Sequence, residues 1–169
     1  MNIDAFSDRY KVRLLTEADA GAVFELCKNN TIYYKYCPPF VTVQSVLADM
    51  KALPPRKTAK DKYYIGFYEE KKLTAVMDFI DDYPEPKIAF IGFFMTDVSV
   101  QNKGLGTEII SCLCDYLTTL SYSAVRLCWV KGNPQAEHFW VKNYFVPVSE
   151  TKSSAADRVI MAERRLLRT

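Results

Sequence analysis

The stretch Phe93–Thr107, FFMTDVSVQNKGLGT, decides how the chain is read. An apolar run that reaches back to Lys87 (KIAFIGFFMT) ends at Thr96, a short polar loop follows, and a helix opens at Gly104. Leu105, Ile109, Leu113 and Leu117 recur every four residues along Gly104–Leu120, which gives that helix one buried stripe. The first N–H groups of a helix have no partner within it, and the helix dipole adds partial positive charge at the same end. Pyrophosphate is an anion that such an end stabilises. Gly104 and Gly106, two of only six glycines in the chain, let backbone approach phosphate with no Cβ in the way. Lys103 adds a cation at the mouth. Taken alone, GLG favours a plainer reading, glycine for tight packing at a helix start, because short motifs misfire often.

Two other phosphate motifs fail on the residues. A P-loop needs GxxxxGK followed by Ser or Thr, and no such string occurs. A dinucleotide fingerprint needs a third small residue where Ile109 stands, and it opens the first strand-helix unit of a domain, not one two-thirds of the way along. Arg126, about 20 residues beyond the glycines, is placed to meet a 2′-phosphate only if it leaves the middle of a predicted strand.

Outward from this stretch the pattern alternates between sheet and helix. Tyr10–Leu14 alternates as a strand; Thr16 opens a helix through TEADAGAVFELCKNN with acids in its first turn. Thr31–Val43 is aromatic, interrupted by Pro38 and Pro39, and reads as loop or short helix before a helix over Gln44–Leu53. Lys62–Tyr68 and Leu73–Ile80 form a predicted hairpin ahead of Lys87–Thr96. Beyond the long helix come a strand at Ala124–Val130, a helix at Pro134–Asn143, and weaker strands near Phe145–Val148 and Arg158–Ala162. This order predicts an α/β (α+β) domain, a mixed sheet with helices on its faces.

Composition narrows the partners. The 22 basic and 20 acidic residues leave a net charge of +2, which argues against a broad nucleic-acid surface but leaves small anions open. Hydrophobic residues make up 49% of the chain, and 169 residues suit one domain over 1–169. Five scattered cysteines form no CxxC pair, and a single histidine leaves no zinc cluster, so no metal is expected. The cysteine usage fits a reducing compartment. With no signal-peptide pattern and no apolar run of about 18 residues, a cytoplasmic location and no membrane contact are expected.

Gln101-Asn102-Lys103-Gly104-Leu105-Gly106 resembles the Gln/Arg-x-x-Gly-x-Gly/Ala signature of the GNAT N-acetyltransferase superfamily. Asn133-Pro-Gln-Ala136-Glu-His-Phe139-Trp140-Val-Lys142-Asn-Tyr144-Phe145 is similar to that family's later helix, Asn-x-x-Ala-x-x-Phe-Tyr/Trp-x-Lys-x-Gly-Phe. One helix and one strand separate the two segments, as the resemblance requires. It implies a mostly antiparallel sheet flanked by helices on both faces, acetyl-coenzyme A as cofactor, and transfer of acetyl to an amine of a small molecule or peptide by direct attack in a ternary complex. Homodimers are common for this resemblance.

The resemblance also implies roles. Backbone at Phe94, Met95 and Thr96 holds pantetheine; Gln101, Asn102, Lys103, Gly104, Leu105, Gly106 and Thr107 cradle pyrophosphate; Asn133, Phe139 and Lys142 line the cofactor channel. Asn133 reads equally as a helix N-cap before Pro134, and both readings hold together. Core packing is the plainer reading of Phe139 and Trp140.

The chain departs from the family where an acid is needed to release thiolate. The usual tyrosine falls at Trp140, whose indole cannot donate a proton in that role. Tyr144, one turn on, is the substitute acid considered, against a reading as a helix-end packing residue. No carboxylate lies between Lys87 and Met95, which leaves Asp78 as base or as a solvent-facing carboxylate, and Asp97 as a turn residue. The lone histidine, His138, reads as structural or exposed. Tyr33, Tyr34, Tyr36 and Phe40, with Tyr83, form either an acceptor pocket that stacks on an amine or core cover by a loop. A non-catalytic acyl-coenzyme A-binding module is the alternative function, motivated by the missing tyrosine and carboxylate.

Overall fold

The computed structural model of the protein describes residues 1–152 and 158–166. Seven strands form one sheet: β1 (Lys11–Leu14), β2 (Lys62–Glu69), β3 (Lys72–Ile80), β4 (Ile88–Thr96), β5 (Ala124–Val130), β6 (Val146–Thr151) and β7 (Val159–Arg165). Their order across the sheet is β1-β2-β3-β4-β5-β7-β6. All neighbours are antiparallel except β4 and β5, which run parallel because the long helix carries the chain back between them. The helices are α1 (Ala20–Lys28), α2 (Thr31–Tyr36), α3 (Val43–Lys51), α4 (Leu105–Thr119) and α5 (Pro134–Lys142).

Alternation along the central strands sends side chains to two cores. On one face Ile65, Phe67, Ala75, Met77, Phe79 and Ile91 meet Leu105, Ile109, Ile110, Leu113 and Leu117 of α4. On the other, Tyr64, Leu73, Val76 and Met95 meet Val23, Leu26 and Cys27 of α1 and Val46 of α3. Each fully buried Leu or Ile in the α4 stripe contributes roughly 1.5–3 kcal/mol. The sheet is therefore covered by helices on both faces, as the sequence pattern predicts.

Local chemistry sets several boundaries. The helix expected from Thr16 begins as a 3-10 turn over Glu17–Asp19 and becomes α-helical only at Ala20. Asp19 turns its carboxylate back to accept from the Thr16 amide (2.8 Å) and to pair with Arg13 on β1 (2.6 Å), which tightens that first turn. Within Thr31–Val43, residues Thr31–Tyr36 are helical and stop before Cys37, as a residue ahead of proline disfavours helix. At the far edge β6 and β7 extend beyond the expected limits, to Thr151 and Arg165, because β7 is held on both sides, by β5 and β6.

The feature that opens the sheet is a bulge. Asp78 of β3 faces Phe93 and Phe79 faces Ile91, so Gly92 is the extra residue on β4. A Cβ at Gly92 would lie 2.9 Å from Asp78 Oδ2, so a side chain there would push that carboxylate away from its bond with Lys62. Parallel pairing of β4 with β5 ends at Ile91 and Leu127, yet β4 continues to Thr96 and β5 to Val130. The two strand ends run on without pairing to each other, leaving a slot between them.

Candidate functional site

A cavity of about 780 Å³ passes through this slot. Gln101, Asn102, Gly104, Leu105, Gly106 and Thr107 line one end, and Phe94, Met95, Thr96, Asn133, Phe139 and Lys142 line the middle. Tyr33, Tyr34, Asp49 and Tyr64 line the other end.

The loop between β4 and α4 folds along one end of the cavity. Asn102 (φ 60°) and Gly104 (φ 88°) both adopt left-handed backbone, the second at the cap of α4. Nothing lies within 4 Å of a Cβ built on Gly104, so a side chain there would enter open space. Helical bonding starts with Glu108 donating to the Gly104 carbonyl (3.0 Å), which leaves the N–H groups of Leu105, Gly106 and Thr107 ahead of the ladder. Gly106 has a different duty. A Cβ on it would lie 3.0 Å from the Phe139 ring, so this glycine lets α4 pack against α5.

The loop is anchored by a residue that motif reading missed. Buried Asn30, just before α2, donates to the carbonyls of Leu26 (3.1 Å) and Thr96 (3.2 Å) and accepts from Gln101 Nε2 at 2.6 Å. Gln101 also donates to the Thr96 carbonyl (3.2 Å). The Gln101 side chain is thus committed to holding the loop against the end of β4. Lys103 points elsewhere: its ammonium donates to the Ser99 carbonyl (2.8 Å), and it does not line the cavity.

Across the slot, buried Asn133 caps α5 by accepting from the Ala136 amide (3.2 Å), with Pro134 next in the helix. Phe94, Phe139 and Trp140 form one aromatic cluster: Phe139 stacks on Phe94 at 5.9 Å and meets Trp140 edge-on at 4.8 Å. Trp140 is buried against Phe145 as well. Packing and cavity lining are therefore both properties of these rings.

The two proton-transfer candidates lie outside the lining. Tyr144 is 74% exposed, with φ 66° and the Arg164 guanidinium 5.4 Å over its ring. Helix α5 ends at Lys142, so the spacing that would align Tyr144 with Trp140 no longer applies. Asp78 is neither solvent-facing nor free: Lys62 bonds its Oδ2 at 2.7 Å, and its Oδ1 is buried with no partner among the described residues. Burial pushes the Asp78 carboxyl above its usual range, against the opposing pull of Lys62.

Tyr33 and Tyr34 line the far end, Tyr33 edge-on to Phe93 (5.7 Å) and to Tyr34 (5.0 Å). Burial raises the pKa of both phenols and that of Tyr64, so all three are neutral near pH 7. Tyr83 sits in the turn before β4, at the end of that strand away from the slot, packed on Phe90 (5.5 Å). Asp49 and Tyr64 also belong to the far end. Helical spacing in α3 could have flagged Asp49 beside the apolar stripe, but no motif marks it.

Among the described residues no helix is long and apolar enough to cross a membrane, and no group of His, Cys, Asp or Glu is placed to hold a metal. The model of the acetyltransferase (GNAT) family matches residues 30–144, more than half of the chain. The chain belongs to the acetyltransferase (GNAT) family. Solved members share the fold at low identity. An acetyltransferase from Thermus thermophilus is 17% identical, with 93% of this chain and 97% of that chain covered at a TM-score of 0.72. A ribosomal L7/L12 α-N-protein acetyltransferase in complex with coenzyme A is 15% identical, with 97% and 98% covered and the same TM-score, 0.72. A spermidine N-acetyltransferase chimera from Vibrio cholerae and hSSAT is 16% identical, with 94% and 96% covered at a TM-score of 0.70. No curated protein sequence matches the chain. The GNAT slot between β4 and β5 thus belongs to a family of acyl-transferring enzymes.

Proposed function

We propose that the protein is a single-domain, acetyl-coenzyme A-dependent N-acetyltransferase over residues 1–169, acting on an amine of a small molecule or peptide. The observation that carries this reading is the cavity itself, which joins the open N-terminus of α4 to an aromatic chamber through the β4–β5 slot.

The residues fit the cofactor. The unbonded N–H groups of Leu105, Gly106 and Thr107, with open space above Gly104, would hold pyrophosphate. The unpaired edge of Phe94, Met95 and Thr96 would hold the pantetheine arm, with Asn133, Phe139 and Lys142 across the slot. When bound, acetyl-coenzyme A supplies the activated acetyl group as a thioester. Donors fixed in the sheet edge stabilise negative charge on the acyl oxygen without reorganising. Holding the amine beside the acyl carbon supplies much of the rate by proximity. An alkylamine with a pKa near 10.4 must lose a proton first, and cavity water is the acceptor we favour, since neither Asp78 nor Tyr144 lines the cavity.

That same placement favours, as a second reading, a coenzyme A-binding module without turnover. Calorimetric titration of acetyl-coenzyme A into the parent and into Gly104→Asp tests the first step. The new carboxylate projects where phosphate would sit, and two unit charges about 5 Å apart at an effective dielectric constant near 20 repel by roughly 3 kcal/mol. Micromolar binding by the parent and a loss of about 100-fold in the folded variant is the expected result; a folded parent that does not bind refutes the reading. Acetyl transfer to any amine then separates the enzyme from the module.

A further inference from the structure

The two ends of the cavity differ in charge. At the α4 end the helix N–H groups favour an anion, and Lys142 in the middle of the lining adds positive charge. At the far end the ionisable groups come from four elements. Asp49 on α3, Tyr64 on β2, and Tyr33 and Tyr34 on α2 line it, while Lys62 on β2 and Asp78 on β3 lie behind that lining, near enough to act on the Asp49 charge. Cys27 of α1 and Cys37 face the same chamber. The phenols and thiols are kept neutral by burial. Lys62 is consumed by Asp78 at 2.7 Å, both side chains nearly buried. One carboxylate is left over. Asp49 lines the cavity and forms no ion pair among the described residues; burial pushes its carboxyl up while the Lys62 ammonium pulls it down, and when ionised it gives the chamber one surplus negative charge.

Three aromatic residues line the same end as that charge. Tyr33, Tyr34 and Tyr64 share the lining with Asp49, each within reach of its charge, and a carboxylate beside aromatic rings is a receptor for an ammonium ion. The chain already uses this arrangement internally. The Lys62 ammonium lies 5.6 Å from the centre of the Tyr64 ring while bonding the Asp78 carboxylate.

An amine that attacks a thioester must be neutral, so a cation resting on Asp49 is carried by a different nitrogen of the acceptor. Resting on the acetyltransferase reading of this cavity, we infer that the acceptor is a small aliphatic diamine or polyamine, and that Asp49 is its specificity-determining residue. One ammonium docks on Asp49 between the tyrosines, which leaves the other nitrogen directed along the cavity toward the slot.

The test is calorimetric binding of 1,4-diaminobutane and of 1-aminobutane to the coenzyme A-loaded parent, Asp49→Asn and Asp49→Glu proteins. The two amines differ only in the second nitrogen. The parent should bind the diamine at least about tenfold more tightly, equivalent to 1.4 kcal/mol, and added salt should shrink that preference. Asp49→Asn should abolish the preference while coenzyme A affinity stays unchanged, and Asp49→Glu should restore part of it. Equal binding of the two amines, binding of neither, or an undiminished preference in Asp49→Asn overturns the inference. Asp49 keeps an exposed side on α3 and packs into neither core, so the variants are expected to fold, which their thermal midpoints check. If coenzyme A does not bind but the preference persists in the unloaded protein and depends on Asp49, the cation site stands and the acetyl-transfer reading falls. If coenzyme A binds and the preference is missing, the reverse holds.

Discussion

Gly106 and Gly21 both sit near the start of a helix, yet replacing each by alanine should change stability in opposite directions. Alanine in a helix is favoured over glycine by up to about 1 kcal/mol, less at the ends. At Gly21 in α1 nothing lies within 4 Å of an added Cβ, so Gly21→Ala should collect that gain, about 0.5 kcal/mol. At Gly106 the added Cβ lies 3.0 and 3.1 Å from two Phe139 ring carbons and 3.5 Å from Phe94. Phe139 cannot retreat freely, because it stacks on Phe94 at 5.9 Å and abuts Trp140 at 4.8 Å, and Trp140 is wedged on Phe145 at 5.2 Å. Forcing a methyl into such a cluster costs about 1–3 kcal/mol, so the net effect of Gly106→Ala is a loss of about 1 kcal/mol. For a chain of this size that lowers the thermal midpoint by about 2–4 °C, measured by calorimetry or circular dichroism. A smaller residue at position 139 should relieve the clash, so Phe139→Leu and Gly106→Ala should couple by about 1 kcal/mol in a double-mutant cycle. A Gly106→Ala protein more stable than the parent, or two glycine variants that shift the midpoint alike, would refute the assignment of Gly106 to helix packing.

Asn30→Ala should cost about 1–3 kcal/mol in denaturant unfolding, since it strips partners from Gln101 and the Thr96 carbonyl, and it should weaken acetyl-coenzyme A binding by loosening the loop. Lys62→Met leaves the buried Asp78 carboxylate uncompensated and should cost about 3 kcal/mol at neutral pH; adding Asp78→Asn should recover part of that. Asp19 gives a pH signature. Its bond to Arg13 holds the carboxyl at about 2, below the ordinary 3.8, so its contribution is present above the unfolded value and is lost as pH falls through about 2. Asp19→Asn should therefore cost about 1 kcal/mol near neutrality, after discounting for surface screening, and parent and variant should converge in acid unfolding scans.

Contiguous residues encode the helices and their starts. The stripe of Leu105, Ile109, Leu113 and Leu117 specifies α4 and its buried face. Asn133 with Pro134 specifies the start of α5, and the glycine at position 104 permits the left-handed cap that opens the helix end. These signals repeat within one or two turns, so they survive without knowledge of the fold. Tertiary structure decided the rest, because sheet order brings together residues that no local period relates. Asn30 reaches Gln101 across 71 positions, and Lys62 reaches Asp78 only because β2 and β3 pair in one register. The slot exists because Gly92 is an extra residue on β4 and pairing with β5 stops one position before it. Spacing placed Tyr144 beside Trp140, but α5 ends at Lys142 and the turn carries that ring to the surface. Asp49 carries no motif at all. Its carboxylate has no ion-pair partner among the described residues because the Lys62 ammonium near it is already held by Asp78, and that follows from burial and strand pairing.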